Sequence, residues 1–383
     1  MASVATQLPG QDIGSGPMAI DRIESRSQQF IGDSRNSLIS RSISLEPIDV
    51  NVDRVVVTAL AADPTGRLLA VAGDDHVIRI LHIETMRLMH TLGDGQPIAA
   101  SSNSVSPSPV GHTDHIRTLA FDSSGNRLAS AGNDGQLILW NRRRDFEVMQ
   151  RIGSAPALAS VQFRNDGRQI AAVGFDKQVF LIGQSSSTLP RLSCDCNDLR
   201  CCHYRGDNQM LAVGGRDGHI HLFDPMIGRE ITSERMAAKP IHDGRVRAIE
   251  FMPQSNVLVT VSDDGHLVEL DTVTQNVLSK LRVTSGHLFC VTAIDSQRIA
   301  AAGSDDRIYV IRLGGPSSKT IIEAELDGHV GSIATLDSVG GVLLSGGFDA
   351  TLRRWDLSGF DRAESKIARG IDKQSDEPET SPR

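Results

Sequence analysis

The sequence predicts an all-β fold, a ring of seven four-stranded antiparallel blades, and three observations carry that prediction. The first is a repeated frame. "ASAGNDGQLILWN" (129–141) and "LSGGFDATLRRWD" (344–356) share a Gly, an Asp two positions later, an aliphatic residue three after the Asp and a Trp six after it. With Asp75, Asp176, Asp217, Asp264 and Asp305 joining Asp134 and Asp349, the frame occurs seven times. The second observation is its spacing. Successive Asp residues lie 59, 42, 41, 47, 41 and 44 positions apart, and all but the first fall close to the period of about 40–45 residues expected of a propeller blade. The third is that each copy divides into short strand-like runs.

The frame rests on more than its Asp. Three residues on stand Ile78, Leu137, Val179, Ile220, Leu267, Ile308 and Leu352; six on stand Leu81, Trp140, Ile182, Phe223, Leu270, Ile311 and Trp355. Two before it come Gly73, Gly132, Gly174, Gly215, Ser262, Gly303 and Gly347. In the second copy, "HIRTLAF" (115–121) leads to the turn signal "DSSGN" (122–126). "RLASAG" (127–132), the Asp turn, "QLILWN" (136–141) and "FEVMQRI" (146–152) follow. Runs of five or six residues rich in apolar and β-branched types, punctuated by Gly, Asn and Asp, read as antiparallel strands. No stretch between 40 and 357 has a persuasive helical period.

These residues resemble the WD-repeat (WD40) family, and the resemblance covers about 320 of the 383 residues. It implies that a loop His, a Ser or Thr on the second strand, the turn Asp and a third-strand Trp form a buried hydrogen-bonded tetrad. The second copy matches at His112, Ser130, Asp134 and Trp140, and the seventh at His329, Ser345, Asp349 and Trp355. The fifth has His242, Thr260 and Asp264, with Leu270 in the Trp position. The sixth keeps His287 and Asp305, and copies one, three and four keep little beyond the Asp. A carboxylate, a hydroxyl and an indole at fixed spacing could also be remnants of a duplicated active site. The repeat instead puts each set inside its own blade, where a buried carboxylate needs donors and loss of its partner costs about 3–5 kcal/mol. The tetrads are therefore expected to hold the fold.

The ends complete the domain prediction: a tail over 1–35, a propeller over 36–358 and a second tail over 359–383, both tails expected to be disordered. After Asp356 no strand pattern remains for the seventh blade, whereas "NSLISRSISLEP" (36–47) alternates apolar and polar. An N-terminal strand near 37–45 is thus expected to close the last blade, which would remove an exposed sheet edge. The long first spacing reflects "GDGQPIAASSNSVSPSPV", expected to be a flexible insertion over 93–110.

Composition narrows the function. A net charge of −8 argues against nucleic acid as the main partner. No apolar run approaches the roughly 20 residues of a membrane helix, and the N-terminus has no signal-peptide pattern, so a cytoplasmic protein without a membrane partner is expected. Walker A, G-x-S-x-G, H-E-x-x-H and Rossmann motifs are absent from the sequence, and no cofactor is expected. "CDCNDLRCCH" offers Cys194, Cys196, Cys201, Cys202 and His203 as soft ligands. Their spacing fits no usual zinc motif, and Cys202 falls on the core position of Leu119. His76, His219 and His266 sit beside turns, where a metal or acid–base role competes with that of exposed polar residues.

The residues just before each repeat Asp are Asp74, Asn133, Phe175, Arg216, Asp263, Ser304 and Phe348. The family resemblance places them on a rim around one mouth of a central channel, where Phe and Arg suit a partner-binding hot spot. The function expected is a non-catalytic scaffold presenting that rim to a protein or peptide. A ligand-binding, metal-binding or enzymatic propeller using the channel mouth is the alternative, and a nucleic-acid module the third.

Overall fold

The computed structural model describes residues 26–28, 40–44, 54–93, 111–153, 156–183, 191–315 and 318–357. Seven strands line a central channel: Val57–Ala62, Ile116–Phe121, Leu158–Phe163, Leu199–Tyr204, Val246–Phe251, Leu288–Ala293 and Ile333–Val339. Each touches the next in order, and the seventh touches the first, so the ring is closed. From each of these strands the chain meanders outward through an antiparallel sheet.

Why the strands read as they do follows from the stacking of blades. Second strands such as Arg127–Gly132 and third strands such as Leu137–Asn141 are buried along most of their length, because both faces of the sheet meet a neighbouring blade. Their sequences are accordingly apolar almost throughout. The outermost strand Glu147–Ile152 alternates between exposed and half-buried residues, as a strand with one wet face must. Seven apolar clusters fill the seven gaps between blades. Trp140 and Trp355 are 2 % exposed, each in the gap beside its own blade.

One backbone contact recurs in every blade. The amides of Asp74, Asn133, Phe175, Arg216, Asp263, Ser304 and Phe348 donate to the carbonyls of Val56, His115, Ala157, Asp198, Arg245, His287 and Ser332, at 2.9–3.1 Å. That carbonyl belongs to the residue just before the innermost strand, or one before it starts to pair. The preceding residue of the turn then passes so close that a Cβ on Gly132 would lie 2.2 Å from the His115 carbonyl oxygen, and one on Gly303 would lie 1.8 Å from that of His287. This is the physical reason for Gly two residues before the repeat Asp.

The seventh sheet has the order 26–28, 40–44, 351–356, 342–347, 333–339. Ser40–Ser44 runs antiparallel to Thr351–Asp356, with Ser40 opposite Trp355 and Ser44 opposite Thr351. Arg26–Gln28 adds a short strand outside it, inside the 1–35 stretch for which no structure is expected from sequence. The rest of 1–35, residues 94–110 of the insertion and the 359–383 tail lie outside the described residues. A second difference is a single helical turn, Glu234–Ala237, between blades 4 and 5. Ser233 caps it by accepting from the Met236 amide at 3.4 Å, and Met236 is buried between the two blades. The helix occupies the extra residues behind the 47-residue spacing. It follows an outermost strand reduced to Arg229–Glu230.

Two stability tests follow from these contacts. Deletion of residues 1–46 removes the outer partner of Thr351–Asp356 and is expected to lower the melting temperature by several degrees, whereas deletion of 1–30 leaves it nearly unchanged. Equal melting temperatures would refute the closure. Gly132→Ala is expected to cost about 1–3 kcal/mol in urea unfolding, the range for overpacking a filled site. Gly153→Ala, where a Cβ meets nothing within 4 Å, serves as the neutral control.

Candidate functional site

The innermost strands shape the channel. In all seven, the pairing with the second strand skips one residue directly after the first pair: between Val57 and Ala59, Ile116 and Thr118, Leu158 and Ser160, Leu199 and Cys201, Val246 and Ala248, Leu288 and Cys290, and Ile333 and Thr335. A bulge of this kind re-aims the skipped side chain. The skipped residues are Thr58, Arg117, Ala159, Arg200, Arg247, Phe289 and Ala334, and all seven line one cavity of about 160 Å³ at the channel mouth, together with Phe175 and Phe348.

Arginine and phenylalanine dominate this mouth. The Phe175 ring stacks with two guanidinium groups, Arg200 at 4.0 Å and Arg117 at 5.9 Å from its centroid. Arg247 lies 4.9 Å from the Phe289 centroid. Arg200 is paired with Asp198 at 2.7 Å. Arg247 approaches Asp263 only to 3.6 Å, and Arg117 donates to the Asn133 amide oxygen at 2.9 Å rather than to a carboxylate. Burial and then the charge of Arg200 lower the Arg117 pKa. Burial, with Arg245, Arg200 and Arg117 adding to it, lowers that of Arg247. Guanidinium groups remain charged through such shifts, so the mouth gathers mutually repelling positive charges within a protein of net charge −8.

The rim residues divide by role. Phe348, 60 % exposed, and Arg216 face solvent. Phe175 joins the mouth as described, while Asn133 and Asp263 position two of its arginines. Asp74 accepts from the Val56 amide at 2.9 Å, and Ser304 Oγ accepts from the His287 amide at 2.9 Å; both hold loops. Arg117, Arg200, Arg247 and Phe289 escaped the sequence reading. Their signal is a large polar or aromatic residue second in an otherwise apolar first strand, as in "HIRTLAF" and "GRVRAIEF".

Three residues deeper along each strand lies a second ring: Ala61, Ala120, Gln162, His203, Glu250, Thr292 and Asp337, within a channel of about 350 Å³. His203 Nε2 is 3.4 Å from a Glu250 oxygen. Burial within the ring of strands pushes the Glu250 carboxyl up to about 8 and the His203 imidazole down to about 4, although the Glu250 side chain is 23 % exposed to the channel. Burial likewise raises Asp337 to about 7. Asp337 also joins the last blade to the first, accepting from the Ala62 amide at 2.7 Å.

The tetrads lie away from both rings. Trp140 Nε1–H donates to Ser130 Oγ at 2.9 Å, Ser130 contacts His112 Nε2 at 2.8 Å, and His112 Nδ1 contacts the Asp134 carboxylate at 2.9 Å. Because the carboxylate can only accept, the Nδ1 proton faces Asp134; on a neutral imidazole Nε2 is then the acceptor, and the serine hydroxyl donates to it while accepting from the indole. Amides of Thr113 and Gln136, each at 3.0 Å, complete the carboxylate's donors. Burial alone would raise the Asp134 pKa; His112 and these amides reverse the shift and leave it lowered. His329, Ser345, Asp349 and Trp355 repeat the chain of contacts, with Trp355 donating to Ser345 at 2.9 Å. His242, Thr260 and Asp264 repeat it without an indole. With the imidazoles 0 % exposed, the three sets act within their blades.

The cysteines do not converge on one ion. Cys201 packs between blades 4 and 5 and Cys202 between blades 3 and 4, since neighbours on a strand face opposite sides. Burial pushes the thiols of Cys194 and Cys202 up to about 12 and raises Cys196 and Cys201 as well. His203 turns to the channel and Glu250. All five thiols are free.

The family described as WD domain, G-beta repeat, matches residues 52–81, 104–141, 186–224, 237–268 and 321–356. This chain is a WD-repeat propeller. Of blades 3 and 6 only the outermost strands, Arg191–Ser193 and Ile321–Leu326, fall within the matched stretches, and the structure supplies the rest of both. The propeller is similar to serine-threonine kinase receptor-associated protein of Gallus gallus, 22 % identical over 57 % of this chain and 64 % of the relative. It is also similar to ribosome biogenesis protein ytm1 of Botryotinia fuckeliana, 22 % identical over 78 % of this chain and 60 % of the relative. WD repeat-containing protein 1 of Gallus gallus is 23 % identical over 52 % and 32 %. The chain thus spans less than two thirds of the length of these relatives. No helix among the described residues is long and apolar enough to cross a membrane.

The raised Glu250 pKa gives a signed expectation. A carboxyl that resists ionisation in the folded state contributes stability below its unfolded pKa of about 4.3 and loses it as pH rises through the folded value. Glu250→Gln is therefore expected to melt above the wild type, with a gap that widens between the ordinary carboxylate range and about pH 8. A gap independent of pH would show that Glu250 ionises in the folded protein over the same range as in the unfolded chain.

Proposed function

We propose that this WD-repeat propeller is a non-catalytic interaction scaffold whose channel mouth holds an acidic segment of a protein partner. The carrying observation is the ring of bulged residues, which aims Arg117, Arg200 and Arg247 into one cavity beside Phe175, Phe289 and Phe348. Arginines stacked on aromatic rings are held in place before a partner arrives, which lowers the ordering cost of binding. Arg117 brings a guanidinium with no carboxylate at contact, and the exposed Phe348 adds apolar surface of the kind enriched at hot spots. Family membership supports the scaffold reading, since the relatives named above are WD-repeat proteins of diverse processes. The buried tetrads account for the carboxylate–imidazole–hydroxyl sets without catalysis.

The test compares wild type with Arg117→Gln/Arg247→Gln, both checked by thermal melting. Partners are captured from source-cell extract and their contact segments mapped by cross-linking, and binding of the mapped peptide is then measured by fluorescence polarisation. The expected result is an acidic segment whose Kd rises at least about tenfold, or about 1.4 kcal/mol, in the double variant and which weakens as salt is raised. An unchanged Kd, or a contact segment mapped to the outer strands, would move the interface elsewhere. Retention of RNA in place of protein would favour the nucleic-acid reading.

A further inference from the structure

We infer that His76, Asp114 and His115 form a binding site for a divalent transition ion of the zinc type, joining the Asp turn of blade 1 to the loop that enters blade 2. The site is independent of the reading given to the arginine mouth. The ligand-capable atoms of the three side chains all lie within 4.8 Å of one another. The two imidazole rings face each other with centroids 5.5 Å apart and planes 47° apart.

The geometry of His76 asks for a partner. Its backbone takes the left-handed conformation, φ 66°, as does the residue after the repeat Asp in five other blades, and this turn holds the ring beside the neighbouring loop. His76 Nδ1 is buried and has no hydrogen-bond partner. Buried polar atoms are normally satisfied, and an exception calls for a cause such as an ion. By contrast His112, a few residues before His115, has both ring nitrogens engaged. On the opposite side, an Asp114 oxygen accepts from the His115 amide at 2.6 Å, which orients the carboxylate in the way that outer hydrogen bonds orient metal ligands.

The donor set selects the class of ion. Two imidazoles and one carboxylate suit zinc and its late first-row neighbours, whereas calcium and magnesium prefer all-oxygen shells. Metal–ligand bonds of about 2.0–2.1 Å require the three donors to close in from their present spacing. Asp114 and His115 are exposed and can turn to do so. Three protein ligands leave a tetrahedral ion one open position, which water or a partner's side chain can occupy.

Titration of the full chain with zinc chloride by isothermal calorimetry tests the site. Saturable binding of one ion is expected, weakened at least about tenfold by His76→Ala and by His115→Ala and unchanged by His219→Ala. Metal-free melting temperatures equal to wild type would confirm that the variants fold. Cobalt(II) loaded in place of zinc is expected to show ligand-field bands without sulfur-to-metal charge transfer. Absence of saturable binding, binding indifferent to His76→Ala, or a thiolate charge-transfer band would overturn the assignment, the last by placing the ion on the cysteines.

Discussion

The contact on which the rest of the architecture depends is the hydrogen bond from the amide just before each repeat Asp to the carbonyl at the entry of the innermost strand. It occurs once per blade and draws two backbones together so closely that the residue before the donor is Gly in six blades. Ser262 is the exception, with its own Oγ accepting from the Asp264 amide at 3.1 Å. Directly after this contact, the innermost strand slips by one residue against its partner. The slip turns a single side chain per blade toward the axis, and seven such side chains make the mouth. A backbone constraint thereby sets the lining of the channel mouth.

Charge is arranged along the channel axis in two rings with opposite character. At the mouth, guanidinium groups remain charged because arginine keeps its proton even when partly buried. Three residues deeper, Glu250 and Asp337 can release their charge, and enclosure by the surrounding strands favours the protonated form. The tetrad carboxylates follow the reverse logic. Asp134, Asp264 and Asp349 are also buried, yet each receives an imidazole and loop amides, and the pKa falls. The tetrad carboxylates gain enough donors to overcome burial; Glu250 has none among the described residues, and the two amides that reach Asp337 do not suffice.

The same distinction separates structure from function here. Within each complete tetrad the indole, hydroxyl, imidazole and carboxylate bond to one another and to loop amides. The mouth is the less balanced region: Arg117 is bonded to an amide, Arg247 is loosely paired, and Phe348 is exposed. Groups that the fold leaves incompletely matched are the ones able to gain from a partner.

The periodic features were legible in the sequence because they are local and repeated. The Gly–x–Asp frame, the apolar third strand and the loop His are each fixed by neighbours within one blade, so their spacing along the chain reports their geometry. Phe175 and Phe348 could be placed on the mouth because the family resemblance puts the residue before each repeat Asp on that rim. Arg117, Arg200, Arg247 and Phe289 could not, since an alternating strand pattern assigns each side chain to one face or the other and gives no sign of a bulge. Nor could the pairing of His76 with Asp114 and His115, which lie 38 and 39 residues on and meet only when blades 1 and 2 stack. The sequence by itself determined the number of blades and their strand order. The tertiary structure decided which side chains share the channel and which titratable groups it encloses, because those properties arise between blades, across distances that no local spacing encodes.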